Sequence, residues 1–333
     1  MAPNMVRRIA PRPGCRLCCK PRFMEEELLP GFPDSSGAHW KVFMASDSKR
    51  FKVGDIECVA VNDGTFSYPI GWLFSNAPSD QVESSLRQRK LPTTHVDSPY
   101  TCLLLKTGKN NVLIDTGADG LAPTTGNLLR NLKAEGISPE EITDVVLTHG
   151  HPDHIGGVLD ASGQPAFPSA RYVMSRTEWE FWNDPSALHD AAMDDHMKQL
   201  LVGCAQKNLP PLKERIELFD GEKEIVSGIH AIPAPGHTPG HIALFISSSH
   251  ARLLHISDAV LNPLHMENPG WRSVFDLDSE QAAKTRRGLL DRAAAERVSV
   301  LAYHFPFPGM GRVESKGDAW AWEAGADPGF RAA

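Results

Sequence analysis

The sequence predicts an α/β protein whose strands end at one shared site, and three observations lead to that reading. Short apolar runs alternate along the chain with segments of helical period. Four of those runs, residues 144–147, 228–232, 253–256 and 298–302, each give way to a histidine or aspartate: His149, His237, Asp258 and His304. The first run opens into Thr148-His149-Gly150-His151-Pro152-Asp153-His154-Ile155-Gly156-Gly157, which packs three histidines and an aspartate into six positions. A single site assembled from strand-end loops accounts for all four.

Composition sets the bounds. A hydrophobic share of 41% against 23% charged residues is ordinary for a globular chain and supplies a sizeable core. The formal net charge of −7 argues against nucleic acid as the default partner, since phosphate binding needs a basic face. Nor is a membrane expected, because no apolar run approaches the roughly 18 residues that span a bilayer. Residues 1–45 read apart from the rest. Arg7, Arg8, Arg12, Arg16, Lys20 and Arg22 precede the first acidic residue, Glu25, and prolines recur. Without an apolar stretch this is no secretory signal. The acid-poor start fits a mitochondrial transit peptide, except that its prolines spoil an amphipathic helix. A disordered extension, or a start codon upstream of the natural one, is the simpler reading, with a cytoplasmic location. Of six cysteines, Cys15, Cys18 and Cys19 fall here, and Cys15-x-x-Cys18 lacks the second pair of a zinc knuckle. Cys58, Cys102 and Cys204 read as core thiols, so a reducing compartment fits.

From residue 51 the fold begins. Residues 51–62 form a strand closed by an Asp63-Gly64 turn. Residues 65–76 are aromatic yet broken by Pro69 and Gly71. They read as a loop laying Phe66, Tyr68, Trp72 and Phe74 over a pocket mouth, onto the sheet, or against a second copy in a homodimer. Residues 78–89 form a short helix. Residues 100–106 and 111–115 pair as a hairpin around Gly108-Lys109-Asn110, which leaves Asp115 at a strand end, placed to cap the next turn. Residues 127–135 are an amphipathic helix, and Ser138-Pro139-Glu140-Glu141 is a helix start, with an N-cap serine and proline at the first helical position.

At the end of an extended segment, residues two apart point the same way, so His149 and His151 can grip one cation together. Asp153 and His154, one turn on, face a neighbouring position for a second. Imidazole and carboxylate suit zinc or another first-row divalent metal. Downstream, residues 171–174 read as a strand, and Ser175 caps a helix carrying Trp179, Phe181 and Trp182. Residues 186–208 read as a longer helix whose His189, Asp194, Asp195 and His196 face water. Trp179 and Trp182, three apart, suggest packing, with substrate contact as the other reading of Trp179. Ala234-Pro235-Gly236-His237-Thr238-Pro239-Gly240-His241 turns between strands 228–232 and 242–246. A proline-broken loop, 259–271, holds His265, read as a pocket residue or a surface histidine. A charged helix over 279–297 and a last strand over 298–302 lead to Tyr303-His304-Phe305-Pro306. From Gly317 a tail holds Trp320 and Trp322 but no evident chemistry.

The set His149-x-His151-x-Asp153-His154, His237, Asp258 and His304, with Asp115 in Leu113-Ile114-Asp115-Thr116-Gly117, resembles the metallo-β-lactamase superfamily's five ordered motifs. The likeness runs from about residue 50 to about residue 315. Within that superfamily the chain is similar to methyl parathion hydrolase and to N-acyl homoserine lactonase-like members. The resemblance implies an αββα sandwich, two mixed sheets with helices on both outer faces. It implies a catalytic domain over 46–316, a tail over 317–333, and two divalent metal ions, zinc first, with manganese, iron or cobalt as alternatives. His149, His151 and His237 would hold one ion; Asp153, His154 and His304 would hold the other; Asp258 would bridge them. Asp115 would support the metal-binding loop from behind. The implied activity is hydrolysis, in which a metal-bridging hydroxide attacks a carbonyl or phosphoryl centre. Metal-bound water, with its pKa lowered to about 7, provides that hydroxide at neutral pH. Asp153 and Asp258 would be the catalytic carboxylates, Asp153 passing a proton to the leaving group. Substrates would be lactones or esters, as in quorum quenching, or organophosphate triesters. In such relatives the insertion after His154 acts as a lid, which would bring Trp179 to the substrate.

Departures narrow the choice. His154 after Asp153, with Asp258 where the penicillin-destroying branch carries cysteine, argues against β-lactamase activity. Too little chain follows His304 for the helical C-terminal domain of glyoxalase II. His151 stands where flavodiiron oxidoreductases carry glutamate. The alternative of a different class is a non-hydrolytic protein of the same fold: a mononuclear-iron dioxygenase of a sulfur substrate, or a small acyl-ligand binder.

Overall fold

A computed structural model describes residues 47–325. The basic segment with Cys15, Cys18 and Cys19, and the last eight residues of the expected tail, lie outside them. The first half of the described chain runs β1 (Ser48–Val53), β2 (Ile56–Pro69), α1 (Ile70–Leu73), α2 (Ser79–Gln88), β3 (His95–Thr107), β4 (Asn110–Ile114) and α3 (Leu128–Ala134). It continues with β5 (Asp144–Val146), α4 (Pro152–Ile155), β6 (Arg171–Ser175), α5 (Arg176–Asn183), α6 (Asp195–Asn208) and β7 (Ile216–Phe219). The second half runs β8 (Lys223–Val226), β9 (Ile229–Pro233), β10 (Ile242–Ser248), β11 (Ala251–Ser257), α7 (Pro263–Glu267), α8 (Ser279–Glu296), β12 (Ser299–Ala302), β13 (Met310–Lys316) and β14 (Ala319–Ala324).

Strands β1 to β7 form one seven-stranded sheet in chain order, and β8 to β14 form a second, also in order. Both are mixed: β4 to β7 are parallel neighbours, as are β11 and β12, and the other pairs are antiparallel. Alternation along β3 shows how the layers arise. Leu103 and Leu105 point between the sheets, into a core shared with Val112, Ile114, Ile229, Leu244 and Leu253. Leu104 points the other way, among Leu128 and Leu132 of α3 and Leu201 of α6. On the far side, Leu254, Ile256 and Val300 meet Leu289, Leu290 and Ala293 of α8. The result is helix, sheet, sheet, helix, the sandwich that the sequence predicts.

Several elements differ from expectation. The strand expected over 51–62 is a hairpin, β1 with β2, turning at Gly54 with φ +57°. Asp63-Gly64 does not end β2. The strand passes through on a bulge between Asn62 and Thr65 and continues to Pro69. Asp63 is buried, and its carboxylate accepts N–H bonds from Ala118, Gly126 and Leu128 at 2.9–3.1 Å, so it braces a neighbouring loop and leaves the strand intact. The aromatic stretch 65–76 is therefore half strand, then the single turn α1. The helix expected after Ser138 is one 3-10 turn over Pro139–Glu141, because Ile142 turns extended to enter β5. The helix expected over 186–208 starts at Asp195, where the Asp194 carboxylate accepts from Met197 N at 3.0 Å and caps it. The tail is not a tail: β13 and β14 form a hairpin, Trp320 is buried, and Trp322 packs 4.9 Å from Phe305. Among the described residues, no helix is long and apolar enough to cross a membrane.

If the outer layer is held by the face that Leu104 presents, Leu104→Ala should lower unfolding free energy by about 2–5 kcal/mol. Leu121→Ala, at a position 40% exposed, should shift it by less than about 0.5 kcal/mol. Guanidinium denaturation followed by circular dichroism reads both.

Candidate metal centre

The ligand-bearing loops meet because the strands before them end side by side. The 148–154 loop leaves β5, the 234–241 turn joins β9 to β10, Asp258 follows β11 and His304 follows β12. Cross-links fix the loops to one another. Ile242 N donates to Thr148 O at 3.1 Å, and Ser257 Oγ to Thr148 Oγ1 at 2.9 Å. Two groups of buried side chains result, each with ligand atoms within 4.8 Å of one another: His149, His151, His237 and Asp258; and Asp153, His154, His304 and Asp258. All seven expected residues come together, and Asp258 belongs to both groups.

In the first group, His151 Nδ1 lies 3.1 Å from His149 Nε2 and 2.9 Å from His237 Nε2. Asp258 Oδ2 lies 3.4 Å from His237 Nε2 and 3.7 Å from His149 Nε2. In the second, His304 Nε2 is 3.1 Å from Asp258 Oδ2 and 3.3 Å from Asp153 Oδ2. His154 Nε2 and Asp258 Oδ1 sit 3.2 Å apart, yet neither has a hydrogen-bond partner. Burial, then repulsion from neighbouring imidazoles, pushes His149 and His151 well below the usual histidine range, so their nitrogens present lone pairs. Burial acts against His237 too, but hydrogen bonds to Asp258 and Asp276 outweigh it and raise its pKa to about 9. His154 is likewise pulled down by burial and raised further by Asp258, Asp115 and Asp153. For Asp258 burial favours the neutral form, but His304 and His154 prevail and hold it well below the carboxylate range. Without cations, then, protons on His154 and His237 balance the carboxylates. Converging lone pairs, an ionised shared carboxylate and unpartnered buried donor atoms are what a pair of divalent cations fits.

Side chains outside the cluster hold these ligands in place. Asp115, as expected, sits behind the loop: Oδ2 is 2.8 Å from His154 Nδ1 and 2.8 Å from Thr148 Oγ1, and Oδ1 accepts Thr148 N at 2.8 Å. Sequence reasoning missed several others. Asp276 Oδ1 is 3.0 Å from His237 Nδ1, and its other oxygen accepts from Arg286, which also donates to Ala259 O and Trp271 O. His241, lowered by burial to about 3, accepts Asp258 N at Nε2 (3.2 Å) while Nδ1 donates to Ala234 O (3.0 Å). Tyr303 donates to Asp153 O at 2.6 Å. Glu178, fully buried, accepts from Gly150, Trp182, Thr238 and Gly240.

The expected pocket residues divide. Phe66, Tyr68 and Trp72 form a half-buried aromatic wall with Phe275: Phe66–Tyr68 4.8 Å, Tyr68–Phe275 5.6 Å, Trp72–Phe275 6.0 Å between ring centres. Tyr68 reaches His304 at 6.2 Å and shares a 2.8 Å hydrogen bond with Tyr100. Phe74 is instead buried, packed 5.0 Å from His265. His265 lies neither at the surface nor among the ligands; its Nε2 donates to Leu73 O at 2.9 Å and ties α7 to α1. Trp179 packs half-buried on the outer core, while Trp182 is fully buried and faces His151 at 5.5 Å. A cavity of about 390 Å³ lies between the insertion and the His237 turn, lined by Phe181, Leu188, Pro235, Pro239 and Leu277 among others.

An N-acyl homoserine lactonase of Bacillus thuringiensis is 30% identical over 185 residues, covering 50% of this chain and 65% of that protein. The chain thus spans just under two thirds of the length of the curated relatives it matches first. A lactonase from a Bacillus species is 27% identical over 242 residues, 66% of this chain and 87% of its own length. Among solved structures, AidC, a dizinc quorum-quenching lactonase in complex with a product, N-hexnoyl-L-homoserine, superposes with a TM-score of 0.78 at 27% identity, covering 85% of this chain and 99% of that one. The hydrolase AbOPH, of the beta lactamase superfamily, gives 0.76 at 28% identity, covering 84% and 97%. The model of the Metallo-beta-lactamase superfamily matches residues 96–302. That match spans more than half of the sequence, and the chain belongs to this superfamily.

Proposed function

We infer that the protein is a dinuclear-metal hydrolase of lactones, with N-acyl homoserine lactones the first substrates to test. The observation that carries this reading is Asp258, whose two oxygens face both ligand groups and leave each with a histidine set of its own. A mononuclear-iron oxygenase would use one group and leave the other without a role. The lactonases named above support the substrate class.

Zinc or a similar divalent pair, when bound, would supply Lewis acidity toward the carbonyl oxygen and acidify a water for attack. The chain's own residues do the rest. His149 and His151 present neutral imidazole donors, His237 would give up its proton to join them on metal binding, and Asp115 and Asp276 hold the rings of His154 and His237 from behind. Asp153 is the most exposed of the seven residues, at 7%, and so is placed to carry a proton to the alkoxide released when the ring opens. The aromatic wall from Trp72 to Tyr68 excludes water on the His304 side and offers an apolar surface to the substrate. That wall also favours a second reading, an ester or phosphotriester with an aryl leaving group.

Zinc-loaded protein should turn over acyl homoserine lactones faster than aryl esters or paraoxon-type triesters in a side-by-side screen; the reverse order would select the second reading. Asp258→Ala and His151→Ala should each lower kcat/KM about 1000-fold, equivalent to ~4 kcal/mol in the barrier, with the circular dichroism spectrum retained. Removing metal with a chelator should abolish turnover, and zinc should restore it in the wild type but not in Asp258→Ala. Activity that survives exhaustive chelation would contradict the metal-dependent reading.

A further inference from the structure

We propose that Glu178 is the positioning residue of the three-imidazole group: its carboxylate pins the loop carrying His149 and His151 to the turn carrying His237. Each oxygen takes two donors. Oε1 accepts from Gly150 N at 2.8 Å and Trp182 Nε1 at 2.6 Å; Oε2 accepts from Thr238 Oγ1 and Gly240 N, both at 2.8 Å. Gly150 lies between His149 and His151, and Thr238 follows His237, so one side chain spans both loops that build this group. All four partners are neutral donors, and burial works to raise the carboxyl's pKa against them. A buried carboxylate is tolerated in such a place only while its donors are all present.

The packing around Glu178 is tight enough to set distances. A Cβ on Gly150 would lie 2.3 Å from the Trp182 ring, and one on Gly240 would lie 2.2 Å from Glu178 N. Both loops therefore press directly onto α5, with glycine where they touch it. The other ligand group is braced by different residues, Asp115 behind His154 and Tyr303 on Asp153. Loss of Glu178 should accordingly weaken one cation site and spare the other.

The inference rests on the two-cation reading, and the experiment separates them. Zinc is titrated into metal-free protein against a chromophoric chelator, with bound metal counted by mass spectrometry, for wild type and Glu178→Gln. Glutamine keeps the size, but its NH2 must confront an N–H donor on whichever side it faces, so one loop is released. Wild type should bind two ions. Glu178→Gln should bind one at wild-type affinity and the other about 10–100-fold more weakly. In a His304→Ala background, where the second group is broken, Glu178→Gln should weaken the remaining ion by the same factor. If Glu178→Gln fails to fold, Thr238→Val, which removes one donor beside His237, should show the same one-sided weakening at smaller size. Unchanged affinities, or an equal loss at both sites as from a general loosening of the fold, would overturn the proposal. A wild type that binds other than two ions would defeat the two-cation reading itself, and this inference with it.

Discussion

One buried carboxylate governs the site. Asp258, 2% exposed, is ionised and faces imidazoles delivered by the β5, β9–β10 and β12 loops. Three of those imidazoles bring ring nitrogens to about 3 Å of one another, His151 Nδ1 lying between His149 Nε2 and His237 Nε2. Buried polar atoms left without a partner there, His151 Nε2, His154 Nε2 and Asp258 Oδ1, are unfavourable in a low-dielectric interior unless a cation is placed among them. The protein tolerates them because strong secondary structure brings the loops together regardless: two seven-stranded sheets whose shared core of aliphatic side chains holds the strand ends in line.

Carboxylates also do most of the bracing, in one recurring manner. Asp63, Asp115, Asp276 and Glu178 are all buried, and each accepts from donors on loops distant in sequence from its own position. A fully satisfied buried carboxylate fixes several loops at once, and removing any one partner leaves charge or donors exposed to a medium that cannot solvate them. That makes the site rigid at the cost of stability.

Much of this was legible in the sequence, for a physical reason: metal ligands at strand ends need imidazole and carboxylate side chains, and those are conspicuous among apolar runs. His149 to His154, His237, Asp258 and His304 could be picked out on that basis, whereas the supporting role of Asp115 came only from the family resemblance. The bracing residues could not. Glu178 stands three residues after Ser175, where a helix start places the glutamate of a capping box, so its role in linking two loops is hidden behind a common local pattern. Asp276 stands between Phe275 and Leu277 and His241 between Gly240 and Ile242, where nothing local marks a bracing role, and only the fold brings them to His237 and Asp258. The Asp63-Gly64 pair misled because a turn dipeptide also serves a bulge when a distant loop offers donors to the aspartate. His265 and Phe74 misled similarly: a broken, aromatic-rich segment reads as open loop, whereas α1 and α7 fold it into a small core of its own.

Membership of the metallo-beta-lactamase superfamily and the lactonase and hydrolase relatives mark the chain as a metal-dependent hydrolase, and the aromatic wall lies beside its candidate metal centre. The most direct test of the account is anomalous diffraction from a zinc-soaked crystal, recorded on both sides of the zinc edge. The account predicts two peaks, one among His149, His151, His237 and Asp258, the other among Asp153, His154, His304 and Asp258. A single peak, or density away from Asp258, would contradict it.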